Sequence, residues 1–337
     1  MKFGTLPLDQ TVGHILAHQC TDAEGRKLLN KGHVIIEIDL ERLRAAHIEA
    51  LTVVTLEEGD LGENEAARRI GRVVAGEHVQ MKAPGVGRAN LTAQARGVLR
   101  INVGVLERLN TIDEGITIAT LQTHTLVEAG QLVGLVKIIP YAIASARVED
   151  VEAIARENQA VMSIRPLQAR SVSLIISGPD AQRDKLTEEF EPSTRARVEA
   201  LGSRLDEVVY VRHDALYIAN ALTQLHSAGR DVIMIAGISA TIDRDDVIPT
   251  ALHMAKGSVA HFGVPVDPGN LLMLGYIGHT PVIGAPGCVK SPKTNVIDLI
   301  LPRLFAGERL TRADLVAMGH GGLLDDIPDR PMPRTAP

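Results

Sequence analysis

A short loop in the second half of the chain combines carboxylates with small side chains. It follows five consecutive apolar residues, 232–236, and contains Gly237, Ser239, Thr241, Asp243 and Asp246. Mg²⁺ is commonly bound by one or two carboxylates together with phosphate oxygens. Backbone N–H groups in a loop that opens a helix can bind phosphate directly. The loop therefore predicts a site for a phosphate-bearing ligand, with Asp246 and Asp243 as catalytic and metal-binding residues.

Two further loops follow apolar runs of the same kind and could line the same pocket. The first contains Ser177, Gly178 and Asp180, and the second, 284–295, contains Pro286, Gly287, Cys288, Lys290, Ser291 and Lys293. Unbroken apolar runs are typical of strands buried on both faces of a parallel sheet. Because parallel strands end at one edge of their sheet, we expect the three loops to meet there.

Each candidate also has a structural interpretation, which the sequence leaves open. Asp243 and Asp246 could be the N-cap of the next helix and its capping partner. Lys290 and Lys293 could be solvated charges, and no local His or Asp spacing supports Cys288 as a nucleophile. The Gly-Val-Gly at 85–87 could bind phosphate but is more typical of a tight turn. The twelve histidines are scattered and indicate no ligand set.

Composition narrows the function classes. The 337 residues carry a net charge of −6, no Trp and only 2% aromatic residues, which argues against nucleic-acid binding. The two cysteines form no metal-type pair, and no apolar run is long enough for a membrane span or a signal peptide. No G-x-G-x-x-G follows a first strand, which disfavours a dehydrogenase. We expect a cytoplasmic protein with no membrane partner.

The pattern of apolar runs predicts three regions and a tail. Residues 1–76 are expected to form an α/β region with a strand at 34–40, and residues 77–165 a β-rich subdomain ending in a connecting helix, 148–160. Residues 166–320 alternate strands with helices, which predicts an α/β fold with a doubly wound, mostly parallel sheet. Pro192 is expected to break a long helix there. Residues 321–337 are expected to be a flexible tail.

Several of these segments resemble a known family. The stretches AGISATIDRDDVIP (236–249), FGVPVDPGN (262–270) and GAPGCVKSPKTN (284–295) resemble the molybdopterin-binding domain of molybdenum-cofactor biosynthesis, as found in molybdopterin adenylyltransferases and molybdotransferases. NLTAQARGVLRINV (90–103), VKIIPYAI (136–143) and PVDPGNLLMLG (265–275) are closest to the molybdopterin-binding region that is fused to cytidylyltransferases. The resemblance extends over about 79–307, and no nucleotidyltransferase domain accompanies it.

The resemblance implies a cofactor and site residues. The ligand would be molybdopterin or the finished molybdenum cofactor, with Mg²⁺ and with ATP or CTP as nucleotide. Carried over by motif, Gly237, Ser239 and Asp246 fall on the pterin-phosphate or nucleotide loop, with Asp243 beside it. The pterin side would be lined by Pro268, Gly269, Asn270, Pro286, Gly287 and Ser291. Pro268 to Asn270 also reads as a type II turn.

Two departures from the family pattern bear on activity. Ile238 stands where the family has a second glycine, and Cys288 and Val289 replace the usual Asn-Pro pair. The resemblance therefore implies either an enzyme, performing nucleotidyl transfer to molybdopterin or molybdate insertion, or a carrier that delivers the cofactor without catalysis. Molybdoenzymes or other cofactor-biosynthesis proteins would be its partners, and the chain would form a homo-oligomer.

Overall fold

The computed structural model describes residues 1–158 and 161–324. The described residues divide into two compact units between residues 165 and 166. The predicted tail lies outside the described residues from position 325 onward, as do positions 159 and 160 of the predicted connecting helix.

The amino-terminal part of the first unit is a small α/β assembly with its own core. Its elements are β1 (Lys2–Pro7), β2 (Ile15–Leu16), β3 (Cys20–Thr21), β4 (Lys27–Leu29), α1 (Glu37–Ala45), β5 (Ala50–Thr55), β6 (Asp60–Gly62) and α2 (Glu63–Val74). Strand β5 lies between β1 and β2, with antiparallel pairing on both sides. Ile35, Leu43 and Val53 are among the buried residues that α1 and this sheet enclose.

The strand predicted at 34–40 is wrong, because α1 begins inside that segment. Helix α1 starts at Glu37, and the carboxylate of Asp39 accepts the backbone N–H of Ile36 at 3.0 Å, which fixes the helix start. Ile36 and Ile38 are exposed, whereas Leu40 and Leu43 are buried. The apolar run therefore belongs to two faces of a loop and helix rather than to one buried strand.

The rest of the first unit is β-rich. Its elements are β7 (Val79–Gly85), β8 (Arg88–Ala93), β9 (Gly97–Ile101), α3 (Val103–Asn110), β10 (Ile116–Thr120), β11 (Leu126–Val127), β12 (Leu132–Ile138), β13 (Ala142–Ala144), α4 (Ser145–Glu157) and β14 (Met162–Pro166). A four-stranded antiparallel sheet has the order β10-β12-β8-β7. Ala67, Ile70 and Val74 of helix α2 pack into the hydrophobic core of this β-rich part. The predicted boundary at residue 76 had assigned this helix to the preceding region.

The Gly-Val-Gly at 85–87 forms the turn between β7 and β8. Gly85, Val86 and Gly87 all have positive φ, which glycine adopts at little cost. The Gly87 N–H donates to the side chain of Asn64 at 2.8 Å, and a Cβ on Gly87 would lie 2.5 Å from a carboxylate oxygen of Glu63. The amide is already engaged and a carboxylate lies beside it, so the turn interpretation fits and phosphate binding does not.

The second unit is built on a six-stranded sheet. Its elements are β15 (Ser171–Ser177), α5 (Arg183–Ala200), β16 (Arg204–Val211), α6 (Ala215–Ser227), β17 (Val232–Gly237), α7 (Val247–Met254), β18 (Ser258–Phe262), β19 (Met273–Ile277), β20 (Thr280–Gly284), α8 (Val296–Phe305) and α9 (Arg312–Val316). The strand order is β16-β15-β17-β20-β19-β18. The first four strands are parallel to one another. Strand β19 pairs antiparallel with β20, and β18 pairs antiparallel with β19.

The two faces of this sheet bury separate cores. Along β15, Leu174 and Ile176 face the core that also holds Phe190 of α5 and Ile300 of α8, whereas Ile175 faces the core under α6 and α7. Successive side chains of a strand point to opposite faces, so a run of apolar residues is needed to fill both. This is the doubly wound, mostly parallel arrangement that the sequence predicts.

The predicted helix break at Pro192 is wrong, since α5 continues through it to Ala200. Leu186, Phe190 and Val198 are buried along one face of α5, at the spacing of successive helical turns. A proline inside a helix costs about 3 kcal/mol. Burial of these apolar side chains on both sides of Pro192 offsets that cost, so tertiary packing overrides the local signal.

Candidate functional site

Strand registers bring the candidate loops to one edge of the sheet in the second unit. Ser177, the last residue of β15, lies beside Val211 of β16 and Gly237 of β17. Farther along the sheet, Ile235 of β17 pairs with Gly284 of β20. The pairs Gly284 with Met273 and Met273 with Phe262 extend the same line to β19 and β18. We call this line of strand ends the carboxyl edge, because all four parallel strands end on it.

The carboxyl edge contains a topological switch point between β15 and β17. The chain leaves β15 through α5 to reach β16 on one side, then returns through α6 to β17 on the other side. The loops after β15 and β17 lead into α5 and α7, which pack on opposite faces of the sheet, so the two loops diverge as they do where a doubly wound fold forms a crevice. Ligands of doubly wound proteins bind at such a crevice.

Two glycines flank the crevice because the chain has no room for a side chain there. A Cβ at Gly237 would lie 2.1 Å from the backbone oxygen of Ser177. A Cβ at Gly178 would lie 2.5 Å from Leu186 Cδ1 and 3.1 Å from Ile238 Cγ2. These glycines are therefore required by close packing of the strand ends. Their place at the crevice agrees with the sequence prediction, while a ligand-binding role remains a proposal.

A partly buried hydrogen bond joins the end of β15 to the loop after β16. The Oγ of Ser177, a fully buried residue, lies 2.9 Å from Nδ1 of His213 in the loop after β16. Burial lowers the pKa of His213, while the negative charge of Asp246, from the loop after β17, acts in the opposite direction. The three loops that follow β15, β16 and β17 thus each contribute one polar side chain to the same place.

The loop after β17 is held by its own carboxylates. Asp246 is the N-cap of α7, and its side chain accepts the N–H groups of Val247 at 2.7 Å and Ile242 at 3.1 Å. Asp243 accepts the N–H of Asp245 at 2.9 Å, so it shapes the turn instead of completing a capping box with Asp246. The sequence left Asp243 and Asp246 as an N-cap and its reciprocal capping partner; the structure makes Asp246 the N-cap without that reciprocal pair, and the two Asp246 oxygens hold the loop in shape.

The centre of that loop presents polar groups without partners. The backbone N–H groups of Ser239, Ala240 and Thr241 have no acceptor within the part of the chain that the structure describes. The hydroxyl of Thr241 is buried and has no hydrogen-bond partner there either. Buried polar groups in proteins are nearly always hydrogen-bonded, so an unpaired group next to a crevice needs an explanation.

The loop after β20 is organised by one arginine of α5. Arg197 donates to the backbone oxygens of Val289 at 3.0 Å, Ser291 at 2.7 Å and Lys293 at 2.8 Å, and it pairs with Asp298 at 3.0 Å. Asn295, which is buried, caps α8. The backbone of this loop is therefore fixed before any ligand binds.

The candidate side chains of the same loop have mixed surroundings. Lys290 pairs with Glu189 at 3.3 Å, whereas Lys293 is exposed and forms no ion pair among the described residues. Gly287 has open space where a Cβ would be, and Cys288, partly buried, forms no disulfide. Pro286 precedes the short 3₁₀ helix Gly287–Lys290. Only Lys293 thus offers an unpaired positive charge from this loop.

The loop between β18 and β19 packs onto the start of α8. The backbone oxygen of Pro268 accepts the N–H of Val296 at 3.1 Å, and a Cβ on Gly269 would lie 2.3 Å from Val296 Cγ1. Asn270 accepts the N–H of Val264 at 2.9 Å. A left-handed φ of 134° at Gly269 explains the glycine there. These residues share the carboxyl edge with the loop after β20.

Asp180 lies on the outer side of the first loop. Its carboxylate is 3.5 Å from Arg212 and 3.9 Å from Arg183, and all three side chains are exposed. Such exposed pairs contribute little to stability. Asp180 is therefore available at the surface, on the same side as the Ser177 loop.

The donor set for a metal ion is small. Within residues 1–158 and 161–324 no group of three or more His, Cys, Asp or Glu side chains could hold a metal ion by itself. Asp243 has one carboxylate oxygen without a partner in that part of the chain, and both oxygens of Asp246 keep further lone pairs. This fits Mg²⁺ only in the form that takes most of its ligands from phosphate and water.

His213 is the site residue that sequence analysis missed. It lies two residues after the end of β16 and directly before Asp214, the N-cap of α6. The same position, between a strand and a helix N-terminus, identified the other three loops. The segment RLDEVVYV has exposed residues between apolar ones, as an edge strand does, so it lacks the unbroken apolar run that marks the strands before the other three loops.

Comparison with known proteins gives the following. Residues 5–55 match a family model described as a domain of unknown function (DUF8806). No curated protein sequence matches the chain. A molybdopterin biosynthesis protein from Mycobacterium abscessus is similar in structure, with 15% identity over 41% of this chain and 92% of that one, at a TM-score of 0.30.

Two longer structures are similar over most of the chain. A molybdenum cofactor biosynthesis protein from Pyrococcus furiosus has 13% identity over 94% of this chain and 65% of that one, with a TM-score of 0.24. A molybdopterin biosynthesis MoeA protein from Pyrococcus horikosii has 13% identity over 90% and 75%, with a TM-score of 0.30. Scores this low carry no conclusion about function.

The fold and the site define a class of protein. The second unit is an α/β protein of the doubly wound type with a polar crevice at its switch point. No helix within the described residues is long and apolar enough to cross a membrane.

Proposed function

We propose that the second unit binds a phosphate-bearing pterin, molybdopterin or the molybdenum cofactor, at the carboxyl edge, and that the protein acts in molybdenum-cofactor biosynthesis. The observation that carries the proposal is the row of unpaired N–H groups at Ser239, Ala240 and Thr241 beside the switch point. Backbone N–H groups of a loop that opens a helix can bind phosphate. The motif resemblance of the same loop supplies the pterin.

The remaining predicted residues take roles around that phosphate. Ser177, Gly178 and Gly237 would form the floor of the crevice, with Thr241 donating its buried hydroxyl. Asp243 and Asp246 would hold Mg²⁺, which supplies neutralisation of phosphate charge. Lys293 would add a positive charge from the loop after β20, and Asp180 would contact polar atoms of a nucleotide, ATP or CTP.

The pterin ring needs an apolar surface as well as polar contacts. Ile238 and Ile242 are exposed by 46% and 71%, and Leu271 by 43%, all on loops of the carboxyl edge. Ring systems bind most readily where apolar surface is interrupted by a few polar groups. Pro268, Gly269, Asn270, Pro286, Gly287, Cys288 and Ser291 would line this side.

Catalysis and carriage of the cofactor are the two alternatives. An enzyme would transfer a nucleotide to the pterin phosphate or insert molybdate, mainly by positioning and charge neutralisation. A carrier would bind the cofactor and deliver it to molybdoenzymes or other biosynthesis proteins. Ile238 favours the carrier, because its exposed side chain limits how closely a second phosphate can approach the backbone.

The test uses the full chain with molybdopterin and either Mg-ATP or Mg-CTP. Release of pyrophosphate supports the enzyme, and tight pterin binding without release supports the carrier. Ligand that copurifies with the protein should be identified by mass spectrometry. If molybdopterin neither copurifies nor binds, the proposed function is wrong.

Asp246→Asn tests the role of this carboxylate under the enzyme alternative. Asn is as good an N-cap as Asp, so α7 should be retained. Under the enzyme alternative turnover should fall about 100-fold or more, in the range seen when a charge-stabilising group is removed. Asp245→Asn is the matched control, since Asp245 is exposed in the same loop and removes the same charge. Equal turnover in both variants would contradict the role given to Asp246.

A further inference from the structure

The ring of His213, beside the crevice, is held in one orientation by a hydrogen bond to Ser177. His213 is partly exposed, and among residues 1–158 and 161–324 the one hydrogen bond to its ring joins Nδ1 to Ser177 Oγ at 2.9 Å. Ser177 is fully buried at the end of a central strand. The ring therefore turns its second nitrogen, Nε2, away from Ser177, and Nε2 has no partner within the described part of the chain.

The serine hydroxyl decides which ring nitrogen carries the proton. Ser177 Oγ has one proton and two possible acceptors, His213 Nδ1 at 2.9 Å and the backbone oxygen of Ala236 at 3.4 Å. Hydroxyl donors prefer acceptors within about 3.0 Å, so the hydroxyl donates to Nδ1. A neutral imidazole with an acceptor at Nδ1 carries its proton on Nε2. The outer nitrogen is then a hydrogen-bond donor.

A fixed donor at this place suits an anion. His213 comes from the loop after β16, and its partner Ser177 lies beside Gly237, the last residue of β17 before the loop that Asp246 ends. Asp246 terminates the same loop that holds the unpaired N–H groups of Ser239 to Thr241. Donors from two loops thus lie around one end of the crevice.

We infer that His213 donates a hydrogen bond from Nε2 to a phosphate oxygen of the bound ligand, and that Ser177 is the positioning residue that fixes the ring and its tautomer. The inference rests on the proposed function for the location of the phosphate. It adds a ligand-contacting side chain that the sequence motifs do not include.

A serine that is hydrogen-bonded to a histidine also suggests a catalytic nucleophile, but Ser177 is too deeply buried for that role. Ser177 has no exposed surface, and a Cβ on the neighbouring Gly237 would collide with its backbone. A substrate atom must come to about 3 Å of a nucleophile. Ser177 therefore acts on the ring of His213 and not on the ligand.

The tautomer can be measured directly. In the full chain labelled with nitrogen-15 on histidine, two-bond proton–nitrogen correlation spectra distinguish an Nε2–H ring from an Nδ1–H ring. We expect Nε2–H for His213 at a pH where the ring is neutral. Ser177→Ala should leave the ring with a mixture of tautomers. An Nδ1–H ring in the unaltered protein would overturn the inference.

The binding test uses inorganic pyrophosphate as the probe, and calorimetry measures its affinity. Gln places an amide donor near the position of Nε2, whereas Asn places one near Nδ1. His213→Gln should keep affinity within about threefold, and His213→Asn should lose about tenfold or more, the worth of a hydrogen bond to a charged group. His279→Gln, in the exposed turn between β19 and β20, is the matched control and should have no effect.

The outcomes separate this inference from the proposed function. If Asn preserves affinity and Gln does not, His213 has only a structural role through Ser177, and the inference is wrong. Absence of pyrophosphate binding in the unaltered protein also overturns it. If pyrophosphate binds as expected but molybdopterin does not, the role of His213 stands and the pterin assignment fails.

Discussion

At the scale of single residues, the crevice depends on a glycine that no other residue can replace. A Cβ at Gly237 would lie 2.1 Å from a backbone oxygen, which cannot move as a flexible side chain could. We expect Gly237→Ala to lower the free energy of unfolding by about 2 to 3 kcal/mol, as overpacking does, and to weaken pyrophosphate binding. Urea unfolding and calorimetry measure the two effects.

The control for this change is another glycine of the same edge. Gly287 has nothing within 4 Å of a built Cβ, and its φ is not positive. Gly287→Ala should therefore leave stability within about 0.5 kcal/mol. Equal losses in the two variants would show that the sheet spreads apart more easily than the structure indicates.

A buried arginine makes stability of the second unit depend on pH. Arg303, 2% exposed, pairs with Glu308 and Asp314, each at 2.9 Å. Desolvation alone would raise the pKa of Asp314, but hydrogen bonds from Thr311 and the charge of Arg303 together lower it to about 2. Because the folded pKa lies below the unfolded value, the ionised carboxylate stabilises the fold above pH 4, and this is lost as pH falls towards 2.

Asp314→Asn tests this pair. At pH 7 the variant should lose about 1 to 2 kcal/mol in unfolding free energy, a value reduced from the full pKa shift because the carboxylate is partly exposed. The difference in unfolding free energy between the variant and the unaltered protein should decrease from pH 5 to pH 3, as measured by urea unfolding. Glu199→Gln, which disturbs an exposed pair with Arg195 at 3.6 Å, should change stability by less than about 0.5 kcal/mol at either pH. A gap that stays constant with pH would contradict the assignment.

Residue-level prediction from sequence succeeded where local chemistry decides the role. Asp246 lies three residues before Pro249 and caps α7, as the order Asp then helix then early proline indicates. His213 could not be found this way, because its partner Ser177 is 36 residues away and meets it only through strand pairing. A contact made by sheet register leaves no spacing signature in the chain.

At the scale of elements, the central strands could be predicted from the sequence because they are buried on both faces. The runs at β15 and β17 are apolar almost throughout, and both strands lie at the predicted positions. The edge strand β18 has mostly half-buried residues and was not predicted. The strand predicted at 34–40 is wrong because some of the apolar residues in this run are exposed, so the run resembles a buried strand without being one. Periodicity thus reports burial first and secondary structure second.

Helix α5 gives a prediction at this scale. Pro192 is exposed and deprives the helix of one backbone hydrogen bond, so Pro192→Ala should restore it without removing core contacts. We expect an increase of about 1 kcal/mol in unfolding free energy, less than the cost in a model helix because proline also restricts the unfolded chain. Pro302→Ala in α8 is the contrast, because Pro302 is buried and its packing would be lost. A loss of stability on Pro192→Ala would show that α5 needs its proline to pack.

At the scale of the whole molecule, each unit has its own hydrophobic core. The second unit buries two clusters on the two faces of one sheet, and the first unit buries two others. A domain of about 150 residues with its own core can fold alone. The chain should therefore unfold in two steps whenever the two units differ in stability.

The fragment 166–337 provides the last prediction, because all candidate residues of the carboxyl edge lie in it. If these residues form the whole phosphate site, the fragment should unfold cooperatively in urea and bind pyrophosphate within about twofold of the full chain, a difference of about 0.4 kcal/mol. Light scattering on both proteins tests the predicted homo-oligomer at the same time. A fragment that folds but binds at least about tenfold more weakly would mean that residues 1–165 complete the site, directly or by holding subunits together. An oligomer seen only in the full chain would distinguish the second cause from the first.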